Sequence, residues 1–294
     1  MILCLDIGGS KISAGLVKKN KIFHFQKFNW QGKTTRQNFL KQVFEIISNF
    51  KLRYSSLRAI AVSVAGQVNH SGEVVLSRNI IKKKTKVSLK KILEKKFRFP
   101  VIVENDTNCF TLAEAVYGRG KGKNLVVGLT LGTGIGGGLV FNKKIVYGKN
   151  GYAAELGHMI IRAGGKKCSC GKRGCFEAYA SVTGLRNFYY QLSGKKVSGL
   201  MIDQTFQKKD KKATEAAERV VKYLSIGLGN IVNIFDPEIV VLGGGLVRFD
   251  WLIKKAILKT EQTIISNQKR KIFTSKLEDK APLVGASLLI SKQA

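Results

Sequence analysis

One histidine and three cysteines lie close together near the middle of the chain, in the order His158, Cys168, Cys170 and Cys175. Zinc in proteins prefers four such ligands in a tetrahedron, and a closed set of three thiolates and one imidazole is typical of a structural site. Glycines in this loop allow it to double back, so that sulfur atoms close in sequence can converge. Free buried cysteines are the alternative interpretation. We predict one structural Zn²⁺ site with these four ligands.

Two glutamates, Glu155 and Glu177, flank the predicted zinc loop. Glu155 precedes His158 by three residues, so on a helical turn both side chains can face one site. Glu177 follows Cys175 by two residues, so a metal ion in the loop would also position this carboxylate. In so basic a chain, a salt bridge is the alternative role for either acid.

A carboxylate follows a predicted buried strand at two places that could serve phosphate transfer. Asp6 ends the first strand beside a glycine turn, where it suits Mg²⁺ bound next to a polyphosphate. Asp106 follows the strand at 101–103 and could act as a general base that takes a proton from an acceptor hydroxyl. The alternatives are hydrogen bonds to the N–H groups of the turn for Asp6 and a helix cap for Asp106.

Three glycine-rich turns could bind a nucleotide through their backbone N–H groups. Residues 132–137 formally satisfy the pattern G-x-G-x-x-G, but a strand follows rather than a helix, so we reject a dinucleotide-binding fingerprint. A glycine turn between strands can still surround phosphate oxygens, and Thr133 would add a hydroxyl donor. Residues 8–11 form a second such turn, and Gly243–Gly245 follow a buried strand where a base or ribose could approach. A tight hairpin, or a turn from strand to helix, is the structural alternative.

Hydrophobic periodicity indicates the elements that must position these residues. Short apolar runs predict strands at 2–7, 12–17, 23–28, 59–64, 101–103 and 238–242. Apolar residues at helical spacing predict helices at 34–50 and 213–235, and a further helix near 249–263. The order strand, glycine turn, strand occurs near residue 5 and again near residue 129, which suggests two related halves of βββαβα type, although two glycine hairpins can also look alike by chance. The alternation of strands and helices places the chain in the α/β class.

The composition is strongly basic. The 294 residues include 51 Lys and Arg against 19 Asp and Glu, a formal net charge of +32. Such a balance often marks partners that are nucleic acids or polyphosphates, but only 12 of the 51 are arginine, the residue favoured for base readout. No secretory signal opens the chain, and five cysteines do not suggest a secreted disulfide framework. We predict a cytoplasmic globular protein that binds no specific nucleic acid and no membrane.

Taken together, these motifs resemble the ROK family (repressor, open reading frame, kinase) of sugar kinases and sugar-responsive repressors, in particular its glucokinase and N-acetylmannosamine kinase-like branch. The matching segments are DIGGSK at 6–11, END at 104–106, LGTGIGGG at 131–138, ELGH at 155–158, CSCGKRGCFE at 168–177 and LGGGL at 242–246. The resemblance covers nearly the whole chain. The zinc motif is its most specific part.

The resemblance implies the actin-like ATPase (ribonuclease H-like) fold, with two lobes and a cleft between them. It implies transfer of the ATP γ-phosphate to a hexose or aminosugar hydroxyl, with Mg²⁺ as a cofactor and Asp106 as the base. It also implies a set of sugar ligands, namely Asn79, Asn105, Asp106, Glu155, His158 and Glu177. The implied nucleotide and Mg²⁺ site comprises Asp6, Gly8, Gly9, Ser10, Lys11, Gly132, Thr133, Gly134, Gly136, Gly243, Gly244 and Gly245. Since His158 and Glu177 belong to the zinc loop, we expect metal loss to weaken sugar binding and to leave ATP binding on the glycine turns little changed.

The expected lobes are residues 1–117, rejoined by a C-terminal helix at 285–294, and residues 118–284. The family often forms dimers, so we expect a homodimer. The chain departs from the family pattern around the sugar site, where Ala65 replaces a proline and Arg78 replaces the proline before Asn79. The identity of the sugar therefore stays open among glucose, mannose, fructose and N-acetylmannosamine.

Three other functions are compatible with parts of the sequence. A sugar-sensing repressor would need a DNA-binding head before the first phosphate strand, and the position of Asp6 leaves no room for one. A non-catalytic nucleic-acid binder fits the charge but not the retained set of kinase motifs. A kinase that uses polyphosphate in place of ATP fits both.

Overall fold

The computed structural model describes residues 1–9, 11–30, 35–76, 80, 85–265 and 271–290. The chain divides into two compact units. The first unit comprises Met1–Gly122, Gly138–Ala154 and Lys276–Ala294, and the second comprises Lys123–Gly137 and Glu155–Ser275. Within the described ranges, no helix combines the length and the apolar character needed to cross a membrane.

Both units contain strands and helices. The strands are β1 (Ile2–Ile7), β2 (Lys11–Lys18), β3 (Lys21–Asn29), β4 (Ala59–Val64), β5 (Gly66–Val68), β6 (Val74–Leu76), β7 (Thr85–Val87), β8 (Val101–Asn105), β9 (Leu125–Leu131), β10 (Ile135–Phe141), β11 (Lys144–Ile145), β12 (Ile239–Gly243) and β13 (Ile272–Thr274). The helices are α1 (Arg36–Arg53), α2 (Leu89–Phe97), α3 (Asp106–Tyr117), α4 (Glu177–Ala180), α5 (Val182–Ser193), α6 (Gly199–Gln207), α7 (Lys211–Phe235), α8 (Asp250–Thr260) and α9 (Ala281–Ile290).

The main sheet of the first unit brings the polar ends of three strands to one edge. Its strand order is β3-β2-β1-β4-β8, with β1, β4 and β8 parallel to one another. Asp6 pairs with Ser63, and Ser63 pairs with Glu104 on the next strand. Because parallel strands share one carboxyl edge, Asp6 and the start of α3 lie at the same edge of the sheet.

Both faces of this sheet are covered by helices, and the side-chain alternation of β1 shows how. Leu3 and Leu5 join the apolar core that includes the buried residues of α1 and α2. Cys4, between them, joins a second cluster that contains Cys109 of α3 and Leu283 of α9. Successive side chains of a strand point to opposite faces, so Asp6 belongs to the face that α3 and α9 cover.

The sheet of the second unit repeats the strand order of the first. Its order is β11-β10-β9-β12-β13, with β9, β12 and β13 parallel. In each sheet the first strand along the chain is central, its two successors lie on one side, and two later parallel strands lie on the other. The two related halves that the sequence suggested are confirmed in their topology.

The long helix α7 confirms the clearest helical prediction. It begins after Asp210, whose side chain accepts a hydrogen bond from the Ala213 N–H at 2.7 Å, and it ends at Asp236, which has a left-handed φ of 41°. Its apolar stripe is buried along the whole length. The helix predicted at 34–50 is α1, and the one predicted near 249–263 is α8.

The C-terminal helix and the division into two units differ from the bounds expected. The C-terminal helix spans Ala281–Ile290 rather than 285–294, and residues 291–294 lie outside the described residues. Residues 118–122, 138–154 and 276–284, expected in the second lobe, fall in the first unit. For 138–154 the packing gives the reason, because a side-chain carbon on Gly138 would lie 2.3 Å from Oγ1 of Thr111 on α3, so this backbone packs directly on that helix.

Candidate active site

Asp6 lies at the end of β1 and is half-buried. Its Oδ1 accepts a hydrogen bond from Ser63 Oγ at 2.8 Å. Burial and the neighbouring Asp106 carboxylate raise the pKa of Asp6 to about 7. A bound cation would favour the ionised form, so the donor chemistry of this carboxylate fits Mg²⁺.

The two residues at the start of α3 have different roles. Asn105 caps the helix, because its Oδ1 accepts hydrogen bonds from the N–H groups of Thr107 and Asn108 at 2.9 and 3.0 Å. Its Nδ2 donates to the Gly66 carbonyl at 2.9 Å. Asp106 is the first helical residue, and its Oδ1 accepts the Thr107 N–H at 2.8 Å. Asn105 therefore supplies the helix cap that was considered for Asp106. The second hydrogen of its side-chain amide is the donor suited to a sugar hydroxyl.

A buried carboxylate that the sequence analysis did not single out lies directly behind this pair. Glu104 accepts the Asn105 N–H at 2.7 Å and Asn108 Nδ2 at 3.1 Å, and it also accepts a hydrogen bond from Tyr147. Burial raises the pKa of Glu104. Its position next to Asn105 was the only signal in the sequence, and Tyr147 had none.

The first glycine turn joins β1 to β2 as predicted. The Gly8 N–H donates to the Lys11 carbonyl at 3.0 Å, and the Gly8 carbonyl accepts Nε1 of Trp30 at 3.0 Å. Nζ of Lys11 lies 3.2 Å from Oδ2 of Asp279, which also pairs with Lys27. Gly9 is exposed at the tip of the turn. Neither Trp30 nor Asp279 was expected here from the sequence.

The second glycine turn joins β9 to β10, so a strand does follow it and the rejection of a dinucleotide fingerprint is confirmed. The Gly132 N–H closes the turn on the Gly134 carbonyl at 2.9 Å. The Gly132 carbonyl accepts the Val182 N–H at 2.9 Å, and the Thr133 carbonyl accepts Thr183 Oγ1 at 2.6 Å. All three carbonyl oxygens are therefore used inside the protein, which suits a turn that must present N–H groups to an anion.

The glycine triplet at 243–245 closes the end of β12. Gly244 has a φ of 86°, and a side-chain carbon there would lie 2.7 Å from the backbone of Leu131. Glycine is thus required at this position by conformation and by close packing. Gly245 faces open space, as Gly132 does, so a ligand could approach both backbones closely.

The predicted zinc ligands converge. One ligand atom from each of His158, Cys168, Cys170 and Cys175 lies within 4.8 Å of all the others. Cys170 Sγ is 3.7 Å from Cys175 Sγ, and Cys168 Sγ is 3.8 Å from His158 Nδ1. A tetrahedral zinc thiolate has sulfur atoms about 3.8 Å apart, so the arrangement fits Zn²⁺. Burial raises the pKa of Cys168 to about 12, and a cation would be needed to keep this thiol ionised.

The two nitrogens of His158 face different groups. Nδ1 faces the cysteines, whereas Nε2 lies 3.9 Å from Oε2 of Glu155. A metal ion on Nδ1 would leave Nε2 and Glu155 together on the other side of the ring, as the resemblance requires for a shared sugar site.

Glu177 lies between the zinc loop and the second glycine turn. Its Oε1 accepts Ser169 Oγ at 2.7 Å, and its Oε2 accepts the Ile135 N–H at 3.0 Å. The carboxylate therefore joins the zinc loop to the second glycine turn. The role of Glu177 as a sugar ligand stays a prediction.

The described residues that were expected in the site are divided between the two units. Ser10 and Asn79 lie outside the described residues, so the structure gives them no place. The first unit holds Asp6, Gly8, Gly9, Lys11, Asn105 and Asp106. The second unit holds Gly132, Thr133, Gly134, Gly136, Glu155, His158, Cys168, Cys170, Cys175, Glu177, Gly243, Gly244 and Gly245.

Comparison with known proteins identifies related sequences and structures. The model of the ROK family matches residues 2–293. An N-acetyl-D-glucosamine kinase of Histophilus somni is 31% identical over 296 residues, which cover 97% of each chain. A glucokinase of Thermotoga maritima is 29% identical over 312 residues, with coverage of 99% of this chain and 98% of the relative.

Among solved structures, a ROK family glucokinase from Streptomyces griseus, in complex with glucose and AMPPNP, aligns with a TM-score of 0.88 at 26% identity and covers 98% of both chains. The α/β class and the actin-like ATPase fold are thereby confirmed. From its family model match and its relatives, the chain belongs to the ROK family.

Proposed function

We propose that the protein is a sugar kinase that transfers the γ-phosphate of ATP to a hydroxyl of a hexose or an aminosugar. The names of its relatives, N-acetyl-D-glucosamine kinase and glucokinase, support the reaction class. The observation that carries the proposal is the placement of Asp106 at the first position of α3, at the same sheet edge as Asp6. A base and a cation ligand are the two groups that phosphate transfer to a hydroxyl requires.

Asp106 is the residue that takes the proton of the attacking hydroxyl. The cap by Asn105 and the bond from the Thr107 N–H hold its carboxylate at the start of the helix. The Glu104 carboxylate holds the peptide unit before Asn105 in place, because it accepts the Asn105 N–H. A base held in this way needs no reorientation when the hydroxyl arrives, which is the basis of its contribution to the rate.

Asp6 is the residue that would hold Mg²⁺, directly or through water. The metal would neutralise charge on the phosphates of the donor. In the turns at 8–11 and 132–137, the N–H groups of Gly8, Gly132 and Ile135 are bonded within the protein, so other N–H groups of these turns would bind the phosphate oxygens. Gly243–Gly245 would lie along the adenosine. The tied carbonyl groups of the second turn support this assignment, because they would otherwise repel a phosphate.

The loop with His158 and the three cysteines would hold one Zn²⁺ in a structural role. With a metal on Nδ1 the tautomer of His158 would be fixed, and Nε2 would be left to hydrogen-bond the sugar. Glu155 lies next to Nε2 and serves the same sugar. We also propose a homodimer, which light scattering would test.

A coupled assay of ADP release over a sugar panel tests the function. The panel contains N-acetylglucosamine, glucose, N-acetylmannosamine, mannose and fructose, each with ATP and Mg²⁺. We expect turnover with at least one of these sugars, and none when the sugar is omitted. Absence of turnover with every sugar, from a folded protein that contains zinc, would contradict the proposal.

A further inference from the structure

The second glycine turn is held from behind by residues that follow the zinc loop in sequence. Val182 and Thr183, at the start of α5, bind the carbonyl groups of Gly132 and Thr133. Glu177, at the start of α4, binds the Ile135 N–H on the other side of the turn. These residues lie within one short segment that begins two positions after Cys175.

The Glu177 carboxylate contacts the turn at two places, through a hydrogen bond to Ile135 and through close packing against Gly134. The hydrogen bond from the Ile135 N–H is charge-assisted, which makes it one of the stronger kinds in proteins. A side-chain carbon added at Gly134 would lie 2.2 Å from Glu177 Oε2. The carboxylate therefore occupies the volume directly beside the turn, where only a glycine leaves room for it.

The other carboxylate oxygen belongs to the zinc loop. Oε1 of Glu177 accepts Ser169 Oγ at 2.7 Å and lies 3.5 Å from Cys168 Sγ. Ser169 stands between the two ligands Cys168 and Cys170. Each oxygen of the carboxylate thus contacts a different segment, and the two segments are joined through it.

We propose that Glu177 is a positioning residue for the phosphate donor, and that the zinc loop holds the phosphate-binding turn in shape through it. The inference rests on the proposed kinase function and extends it, since it assigns to the metal loop a role in donor binding. Loss of the bridge would free the Ile135 N–H and loosen the turn. Donor affinity would then fall even when no sugar is present, which a residue that acts only on the sugar cannot cause.

Binding of AMP-PNP without sugar, measured by calorimetry, tests the proposal. We expect Glu177→Ala to weaken AMP-PNP binding about tenfold, the effect of one lost hydrogen bond to a charged group. Glu177→Gln should retain most of the affinity, because its amide oxygen can accept the Ile135 N–H while its NH₂ donates to Ser169 Oγ. Ser169→Ala should weaken binding by a smaller factor and leave about one zinc per chain. Ser198→Ala, which removes a helix cap in the same unit, is the matched control and should leave AMP-PNP affinity unchanged.

A double-mutant cycle keeps the test valid if one variant has side effects. Gly134→Ala should weaken AMP-PNP binding in the wild-type background because the added carbon displaces Glu177. In the Glu177→Ala background the same change should cost much less, and this non-additivity measures the coupling. Circular dichroism and zinc content must be normal for each variant that enters the cycle.

Hydrogen exchange of the segment 131–137 gives a readout that does not depend on catalysis or on ligand binding. We expect Glu177→Ala and removal of zinc by a chelator each to speed exchange in this segment, and Glu177→Gln to leave it close to wild type. If wild-type protein binds no AMP-PNP while the exchange changes as expected, the proposed function fails and the bridge stands. If Glu177→Ala is folded, contains zinc and matches wild type in both AMP-PNP affinity and exchange, the bridge is overturned.

Discussion

Asn105 and Asp106 are adjacent and similar in size, but their different backbone conformations give their side chains different roles. Asn105 has extended backbone angles and spends its side-chain oxygen on the helix N–H groups, while Asp106 is already helical. A cap needs an acceptor at the residue before the helix, so the cap cannot be Asp106. The carboxylate at the first helical position is the group that we propose as the base.

Asp106→Asn should lower kcat by about 10²–10⁴-fold, because the amide cannot accept the hydroxyl proton. Sugar affinity should change little, since asparagine keeps the shape and the acceptor for the Thr107 N–H. Steady-state kinetics and calorimetry with the preferred sugar measure the two quantities. Asp250→Asn is the matched control, because Asp250 is also the first residue of a helix, α8, and is exposed. A near-normal kcat for Asp106→Asn would leave this residue with a structural role only.

Ala154 has a φ of 62°, a left-handed conformation that costs an alanine about 1 kcal/mol. We expect Ala154→Gly to raise the free energy of unfolding by about 0.5 kcal/mol, after the larger chain entropy of glycine is subtracted. Ala153→Gly is the control and should lower stability, because Ala153 is not among the residues with positive φ. Urea unfolding measures both variants, and a destabilised Ala154→Gly would contradict the presence of strain.

At the scale of elements, the sequence predicted those with long or uninterrupted periodicity. The stripe of α7 and the apolar run of β4 each identify one element, and both were predicted at nearly their observed bounds. The helices α2, α5 and α6 were missed, although Leu89, Leu93 and Phe97 of α2 do show helical spacing. The strands of the small sheet, β5 to β7, have three residues each, too few for a period to show.

The parts of the site that could be predicted from the sequence are those whose residues all come from one segment of the chain. The four predicted zinc ligands come from one short stretch of chain, so their types and spacing could predict a metal site without knowledge of the fold. The contact between Ile135 and Glu177 joins residues 42 positions apart, and that between Lys11 and Asp279 joins residues 268 apart. Such pairs depend on how strands and helices pack, and no local pattern records them.

The packing of α9 on α3 depends on one small residue. A side-chain carbon on Gly285 would lie 1.8 Å from the carbonyl oxygen of Cys109. We expect Gly285→Ala to separate the two helices and lower the free energy of unfolding by about 1–3 kcal/mol, as overpacking of a core does. Gly245→Ala is the control for stability, because nothing lies near that position. Urea unfolding that finds Gly285→Ala as stable as wild type would show that the contact relaxes freely.

At the scale of the whole molecule, the two units build one topology from different sequences. Both sheets place a glycine turn after their central strand, and in both the turn leads into the next strand of the same sheet. Two phosphate-sized turns therefore arise from one repeated arrangement. Their surroundings differ, because the Asp6 and Asp106 carboxylates lie at the edge of the first sheet, whereas Glu177 joins the second turn to the loop with His158 and the three cysteines.

We expect the net charge of +32 to strengthen binding of a phosphate donor more when the protein contacts more of its phosphates. We expect a rise in salt from about 50 to about 200 mM to weaken a polyphosphate donor far more than ATP, because counterion release scales with phosphate contacts. The KM of each donor at several salt concentrations measures the two slopes. Equal slopes would contradict this prediction, and tight binding of duplex DNA at physiological salt would favour a nucleic-acid function instead.

Trp30 donates a hydrogen bond to the Gly8 carbonyl, so its fluorescence can report on the first glycine turn. The chain has two tryptophans, and each compact unit contains one of them. Trp30 is bonded to the turn through its indole nitrogen, whereas Trp251 in α8 stacks on Phe206 with ring centroids 3.9 Å apart. Tryptophan fluorescence of a Trp251→Phe variant, excited selectively over tyrosine, would therefore come from Trp30 alone, and occupancy of the adjacent turn could be followed without any attached dye.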